Sequence, residues 1–193
     1  MKKIPTLFVR EYENHKVVGI TDKVTEGCEI VLKGECVPTV KYDGACCAII
    51  NGVFYKRYDA KKGKKPPEGA IPCCDPDPIT GHHPHWVKVD ANNPADKWFV
   101  EAYRNCPWAH DKDGTYEAIG LHFQGNPYKY NIDTLVRHGS VKPLDFPKKP
   151  TFDNIKKYLE EHTYEGIVFW KNEPICKIKR SDFGLPFPVE DEK

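Results

Sequence analysis

Residues 45–58 read ACCAIINGVFYKRY. Two apolar runs, Ala45–Ile50 and Val53–Tyr58, flank the pair Asn51-Gly52. Asn-Gly is the preferred pair for a two-residue turn, because both central residues of that turn need a positive φ. The stretch therefore predicts a tight antiparallel hairpin. In its first strand the adjacent Cys46 and Cys47 point to opposite faces, so one of them is expected in the core.

The remaining pattern predicts more strands, few helices and one long surface segment, residues 59–84, which is rich in Pro, Gly and Lys. One helix is predicted to begin after Thr151, a capping residue, with an apolar stripe of Phe152, Ile155, Tyr158 and Leu159. A second hairpin joins Tyr164–Trp170 to Ile175–Lys179. The other predicted strands are Thr6–Tyr12, Lys16–Ile20, Glu29–Lys33, Val37–Lys41, Thr115–Phe123 and Thr134–Arg137, with Trp86–Val89 and Lys97–Val100 as short strands or turns. The predicted class is an α+β domain of mostly antiparallel sheets.

Length and composition indicate a globular chain. Its 193 residues suffice for one compact domain, so residues 1–193 are predicted to form a single domain. Hydrophobic residues make up 39% and charged residues 30%, which excludes a disordered chain. No run reaches the length of a membrane span, and the first ten residues do not resemble a signal peptide. We therefore expect a monomer in the cytoplasm, or in the host cytoplasm if the chain is viral, with no membrane partner.

Net charge limits the kinds of nucleic-acid binding that are expected, and the cysteine pattern indicates the redox state of the thiols. The net charge of +1 excludes a strongly basic, non-specific nucleic-acid binder. Lysines cluster locally at 61–65, 148–149 and 177–179, and for the first two clusters a solvated surface and a phosphate contact are equal alternatives. The eight cysteines include two adjacent pairs, and without a secretory signal they are expected to be reduced thiols.

The sequence Lys41-Tyr42-Asp43-Gly44 lies between a predicted strand and the hairpin. Alone it is a weak signal, since Asp-Gly suits an ordinary turn and Lys suits the surface. Its meaning depends on the residues that follow it in the chain.

Four later features follow in a set order. Arg57 lies at the far end of the hairpin, and Glu117 lies in a predicted strand. Glu165-Gly166 precedes an apolar run, and Lys177 and Lys179 alternate with Cys176 and Ile178. In a strand the two lysines share one face about 7 Å apart. Because like charges repel, an anion between them would be stabilising. A solvated edge strand is the alternative.

This order resembles that of the covalent lysine nucleotidyltransferases, which comprise nucleotide-dependent DNA ligases, RNA ligases and messenger-RNA capping enzymes. Within that superfamily the chain looks like the 5′–3′ RNA ligase family that has a vertebrate cytoplasmic member. That closer resemblance runs from about Pro38 to Leu185. It rests on Pro38-Thr39, Cys46-Cys47, Gly81-His82 to Pro84, Trp86-Val87, Gln124–Tyr128, His138-Gly139 and Glu165–Val168.

The resemblance implies a nucleotidyltransferase domain related to ATP-grasp ligases, ATP as cosubstrate and Mg²⁺ or Mn²⁺ as cofactor. It implies that Lys41 is the catalytic nucleophile that forms a lysyl-adenylate, and that Glu165 and Glu117 are metal ligands. The implied ATP- or AMP-binding residues are Thr39, Val40, Lys41, Arg57, Glu117, His138, Lys177 and Lys179. Many RNA ligases have Glu where this chain has Val40, so any side-chain role there is lost. His138 or Tyr128 could stack on adenine, with packing as the alternative for each.

Formation of a lysyl-adenylate requires cations and a metal-binding carboxylate around the nucleophilic lysine. Lys41 must attack as a neutral amine, whereas a free lysine is almost wholly protonated at neutral pH. Neighbouring cations and burial disfavour the charged form, and the same cations stabilise the charge that develops on phosphorus. Mg²⁺ prefers oxygen ligands, which favours Glu165 as its carboxylate.

A competing set of zinc-type residues spans 73–110. It comprises Cys73, Cys74, His82, His83, His85, Cys106 and His110. It contains no Cys-x-x-Cys pair, so its spacing favours a polar loop over a zinc site.

The predicted activity is ATP-dependent joining of RNA with a 5′-phosphate to RNA with a 3′-hydroxyl. A DNA ligase or a capping-type enzyme is one alternative, although these usually carry an oligonucleotide-binding-fold domain after the last lysine motif. Only fourteen residues, 180–193, follow Lys179, so we expect no such domain in this chain. A non-catalytic RNA-binding module is the other alternative, but a pure binder has no need for a nucleophile.

Overall fold

The computed structural model describes residues 3–14, 16–78 and 80–188. The chain divides into two compact units. The hairpin unit contains Asp43–His138 and Lys3, and the lysine unit contains Ile4–Tyr42 and, among the described residues, 139–188. Each unit has its own hydrophobic core. The predicted α+β class of mainly antiparallel sheets with few helices is confirmed. The prediction of one domain over residues 1–193 stays a prediction.

The described elements are short. The helices are α1 (Glu29–Leu32), α2 (Lys97–Arg104) and α3 (Phe152–Glu161). The strands are β1 (Phe8–Glu13), β2 (Lys16–Val24), β3 (Val37–Lys41), β4 (Ala45–Ile50), β5 (Val53–Ala60), β6 (Ile71–Pro72), β7 (His83–Lys88), β8 (Gly114–Ile119), β9 (Thr134–Arg137), β10 (Gly166–Lys171) and β11 (Glu173–Lys179). None of the helices in the described ranges is long and apolar enough to cross a membrane.

The hairpin unit is built around the hairpin predicted from residues 45–58. Strands β4 and β5 pair in antiparallel fashion, and Asn51 and Gly52 both have positive φ values, 51° and 71°. The carboxylate of Asp113 accepts hydrogen bonds from both turn amides. The six-stranded sheet runs in the order β6-β7-β5-β4-β8-β9. Cys47 is fully buried beneath it and Cys46 lies on the opposite face, as predicted.

The lysine unit contains a three-stranded sheet and a two-stranded sheet. The first has the order β11-β10-β3, and β1 pairs with β2. Helix α3 begins as predicted, because the Thr151 hydroxyl accepts from the Asn154 amide and the Asn154 side chain accepts from the Thr151 amide. Its buried face packs into the core of this unit, whose members include Ile155, Leu159, Ile167 and Ile178. The lysine strand β11 is therefore held against a packed layer.

Two predicted strands, and one segment predicted as a short strand or turn, differ most from the structure; several other strands differ only in their bounds. The segment predicted as strand Glu29–Lys33 contains helix α1, which ends at Leu32, and Gly34 beyond it has φ +75°. Lys97–Val100 forms the start of helix α2, because Phe99 and Tyr103 lie one helical turn apart and both pack against Phe54. The predicted strand Thr115–Phe123 stops at Ile119, because Gly120 has φ +130° and Ile132 approaches its backbone closely.

Two glycines of the predicted motifs lie where backbones approach closely. A Cβ atom on Gly166 would lie 2.2 Å from the carbonyl oxygen of Ile178 on β11. A Cβ atom on Gly44 would lie 2.3 Å from the carbonyl oxygen of Ala118 on β8. A side chain cannot fit at these distances without moving a strand. The glycines in Lys41–Gly44 and Glu165-Gly166 are thus required by packing.

This close approach predicts a stability loss. Gly166→Ala should lower the free energy of unfolding by about 1–3 kcal/mol, because the new methyl group overpacks the junction of β10 and β11. Gly19→Ala in β2 is the matched control, since its Cβ would meet its nearest neighbour, a Glu11 carboxylate oxygen, at 3.6 Å. We expect that variant to stay within about 0.5 kcal/mol of the wild type. Urea unfolding of the three proteins measures both values, and equal stabilities would contradict the packing argument.

Candidate active site

Strand pairing in the lysine unit brings Lys41 beside Glu165. Lys41 is the last residue of β3 and pairs with Gly166, the first residue of β10. Glu165 immediately precedes that pair, and its side chain is about one-tenth exposed. The Lys41 Nζ donates a hydrogen bond of 2.5 Å to Glu165 Oε2. A charge-assisted contact of this length holds the amine in one place.

The predicted alternation along β11 is confirmed. Cys176 and Ile178 are fully buried, and Lys177 and Lys179 point to the other face. The register pairs Lys179 with Gly166 and Lys177 with Val168. The Lys179 Nζ lies 3.7 Å from Glu165 Oε1. Glu165 therefore faces the same side as the lysines, which the sequence pattern alone left open.

The strand that carries these lysines is not a solvated edge. The backbone of Lys177 donates to the carbonyl oxygen of Pro5 and accepts from the amide of Leu7. The N-terminal segment thus covers the side of β11 that faces away from β10. The lysines are consequently fixed by hydrogen bonds on both sides of their strand.

The electrostatics of the cluster favour an anion. Burial, followed by the neighbouring cations Lys41, Lys179 and Arg10, lowers the pKa of Lys177 to about 8 against the opposing effect of Glu165. Two carboxylates, Glu165 and Asp182, are paired with these groups. Four cations against two carboxylates leave an excess of positive charge at a half-buried position. A polyphosphate would neutralise that excess.

Arg10 and Asp182 are residues that the sequence pattern did not suggest. Asp182 is 3% exposed, accepts a 2.9 Å hydrogen bond from Arg10 Nη2, and accepts another from the Lys179 amide. It thereby fixes the end of β11 and the guanidinium of Arg10. No local pattern could have revealed the pair, because 172 positions separate its members.

Thr39 and Val40 use their polar groups within the lysine unit. The Thr39 hydroxyl donates to the Val168 carbonyl oxygen and accepts from the Trp170 indole at 2.8 Å. The Val40 amide donates to the carbonyl oxygen of Val141, and its side chain is buried. These contacts position β3. A role in ATP binding stays a prediction for both residues.

The hairpin unit holds a second cluster, formed by Glu117 on β8 and His138 just after β9. The His138 ring nitrogens contact Thr115 Oγ1 through Nδ1 and Glu117 Oε2 through Nε2, each at 2.9 Å. Cys46 lies on β4 directly opposite Glu117. Burial, followed by the Glu117 charge, raises the pKa of the Cys46 thiol to about 12, with Arg57 acting in the opposite direction.

Arg57 and Tyr128 have contacts of their own in the hairpin unit. The Arg57 guanidinium lies 3.7 Å from the Asp59 carboxylate, and both groups are partly exposed. The Tyr128 hydroxyl accepts a 2.5 Å hydrogen bond from the amide of Asp43. Gln124 donates to the carbonyl oxygen of Gly44. The segment around Gln124–Tyr128 therefore fixes the turn that follows Lys41, a positioning role that sequence reasoning missed. Adenine stacking by His138 or Tyr128 stays a prediction.

The zinc alternative in residues 73–110 is not supported within the described part of the chain. His110 binds the carbonyl oxygen of Tyr103, His85 binds that of His83, and Cys106 contacts the Thr134 hydroxyl. Only one group of three potential metal ligands occurs among the described residues, and none of these side chains belongs to it.

The lysine unit has a donor set that suits magnesium. Mg²⁺ in nucleotide sites usually takes one or two carboxylates, and phosphates and waters complete its six positions. Glu165 supplies one buried carboxylate, which contacts Lys41 through one oxygen and Lys179 through the other. Glu165 thus fits the metal-ligand role that the sequence predicts for it.

The chain has a distant similarity to a known protein. No model of a known protein family matches the chain. The chain is similar to a protein named RNA ligase 1 from Pongo abelii, with 24% identity over an alignment of 272 positions, gaps included. The alignment covers 98% of this chain and 83% of the relative. At this identity the similarity supports a relationship to RNA ligases and nothing finer.

The lowered pKa of Lys177 predicts a pH-dependent stability effect. Lys177→Met should raise the melting temperature at pH 7, because the wild-type ammonium is held where its charge is disfavoured. The gain should be largest below about pH 8 and should vanish towards pH 10.5. Over that window the folded protein has released the proton while the unfolded chain still binds it, so the wild type recovers stability.

Thermal unfolding followed by circular dichroism from pH 6.5 to 10.5 measures this difference. Lys156→Met, at an exposed position of α3, is the matched control. A difference between wild type and Lys177→Met that stays constant over the window would contradict the assignment.

Proposed function

We propose that the chain is an ATP-dependent RNA ligase that uses Lys41 as its nucleophile. The observation that carries the proposal is the cluster of Lys41, Glu165, Lys177 and Lys179 in the lysine unit. Residues from three separate strand regions, in the order expected of a lysine nucleotidyltransferase, meet around one carboxylate. The distant similarity to a protein named RNA ligase 1 supports the same class.

The first step is adenylation of Lys41. Its ammonium, held by a 2.5 Å hydrogen bond to the Glu165 carboxylate, first releases a proton to solvent. The freed lone pair forms an N–P bond to the α-phosphorus of ATP while the P–O bond to pyrophosphate breaks. Because the attacking amine and the cations are already in place, the step needs little reorganisation.

Lys177 and Lys179 act on the phosphates. Their charges stabilise the negative charge that spreads over the reacting phosphoryl oxygens and the departing pyrophosphate. Arg10 adds a third cation, held by Asp182. Bound Mg²⁺, with Glu165 as its carboxylate ligand, would add positive charge near the phosphates.

The resemblance assigns three residues of the hairpin unit to the nucleoside of ATP. Glu117 accepts hydrogen bonds and His138 offers a flat ring, which suit the ribose hydroxyls and the adenine base. Arg57 suits a phosphate or ribose oxygen. These three roles rest on the resemblance.

The later steps use the bound adenylate. An oxygen of an RNA 5′-phosphate displaces Lys41 from the adenylate phosphorus, which leaves an adenylylated RNA end and the free lysine. A 3′-hydroxyl then attacks the 5′-phosphate of that end, forms the phosphodiester and releases AMP. Each step exchanges one bond to phosphorus for another. Lys41 takes up a proton from solvent as it leaves, and the attacking 3′-hydroxyl releases its proton to solvent.

Covalent adenylation is the direct test. Protein incubated with ATP and Mg²⁺ should gain one AMP by intact mass, and Lys41→Ala should gain none. Lys171→Ala is the matched control, because Lys171 also pairs with a glutamate in this unit, at 2.9 Å from Glu35. It should label like the wild type. If Lys41→Ala gains AMP as readily as the wild type, Lys41 is not the nucleophile.

The substrate is tested with ends that differ only in sugar. Contacts to the phosphate backbone do not distinguish RNA from DNA. The 2′-hydroxyl of RNA does, because it donates and accepts hydrogen bonds. We expect sealing to require ribose in the last two nucleotides at the 3′-hydroxyl end and a phosphate at the 5′ end. Gel analysis of paired oligonucleotides measures this.

Two results would point elsewhere. Equal sealing of all-DNA and RNA-ended substrates would favour a DNA ligase. Transfer of GMP to a 5′-diphosphate end would favour capping.

A further inference from the structure

Three different metal-binding side chains converge on one face of the hairpin-unit sheet. Cys46 on β4 pairs with Glu117 on β8, and His138 follows β9, the next strand. The thiol sulfur, a carboxylate oxygen and an imidazole nitrogen all lie within 4.8 Å of one another. Each residue is partly buried, and no other trio of this kind occurs in the described ranges.

The contacts of His138 are compatible with a metal ion bound at Nε2 in one of its two tautomers. If Nδ1–H donates to the Thr115 hydroxyl, Nε2 carries a lone pair that points at Glu117 Oε2 from 2.9 Å. Two acceptors at that distance need a proton or a metal ion between them. A histidine that binds a metal through one nitrogen and a fixed polar group through the other is the usual arrangement in metal sites.

The donor set selects the kind of metal. One sulfur, one nitrogen and one oxygen suit zinc or cobalt, whereas magnesium prefers oxygen donors throughout. Three protein ligands leave the fourth tetrahedral position for water or another ligand. The cluster therefore differs in chemistry from the Glu165 carboxylate in the lysine unit.

We propose that Cys46, Glu117 and His138 bind one zinc-class divalent ion. On binding, the Cys46 thiol releases its proton to solvent and forms a thiolate–metal bond, so the site gains the ion and loses one proton. Ligand atoms about 2.0–2.3 Å from a tetrahedral ion lie about 3.3–3.6 Å apart. Side-chain movements of about 1 Å bring the three atoms from their observed separations to those distances.

The proposal has a consequence that rests on the proposed function. Glu117 and His138 are also the residues proposed for the nucleoside of ATP. A bound zinc ion occupies both side chains, so it should inhibit lysyl-adenylate formation with magnesium present.

Cobalt(II) titration of the full chain tests the site without ATP. The wild type should bind one cobalt ion with a thiolate-to-cobalt absorption band. Cys46→Ser should lose the band and bind about tenfold or more weakly. Cys36→Ser, at another partly buried thiol, is the matched control and should keep both. No binding by the wild type, or an unchanged band in Cys46→Ser, would overturn the proposal.

Zinc inhibition is measured as the ratio of adenylation rates with and without zinc for each protein at fixed magnesium. The rate with zinc should be several-fold lower than the rate without zinc in the wild type, whereas the two rates should be nearly equal in Cys46→Ser. A wild-type ratio near one would overturn the inhibition. Absence of adenylation without zinc would instead refute the proposed function, and the cobalt result would stand by itself.

Discussion

The arrangement of the lysine unit depends on one shared carboxylate. Glu165 contacts Lys41 through one oxygen and Lys179 through the other, so it holds β3 and β11 side chains on either side of β10. Without it, three lysines and an arginine would repel one another at a half-buried position. The carboxylate is thus needed to keep the cations together, and the remaining positive charge favours an anion at this position.

The two glycine-containing motifs follow from the same need for close approach. Gly166 lets β10 run against β11 at the point where Glu165 and Lys179 meet, and Gly44 lets β4 run against β8 beside Glu117. In each case the glycine adjoins a strand that carries a charged residue of the predicted site. Each of the short motifs Lys-x-Asp-Gly and Glu-Gly therefore combines a charged residue of the predicted site with a glycine that allows two strands to approach closely.

Sequence patterns correctly predicted the structural features that depend on neighbouring residues or on a regular spacing of side chains. The Asn51-Gly52 turn, the Thr151 cap and the alternation of Lys177 and Lys179 follow from short-range rules and agree with the structure. Helix α1 was missed because four residues give too short a period to recognise, and α2 because its first residues include aromatic and β-branched side chains that favour strands. Partners such as Arg10 with Asp182, or Tyr128 with Asp43, arise from tertiary packing and leave no local signal.

The order of the units along the chain has a consequence for how the protein is made. The hairpin unit comes from one continuous segment apart from Lys3, whereas the lysine unit combines segments on both sides of it. Thr39 on β3 bonds to Val168 on β10, 129 positions later. Pairing across such a separation is slow, because a long loop must close first. During synthesis on the ribosome, Lys41 therefore cannot contact Glu165 until most of the chain has been made. The cation cluster is complete only after residue 179 has been added.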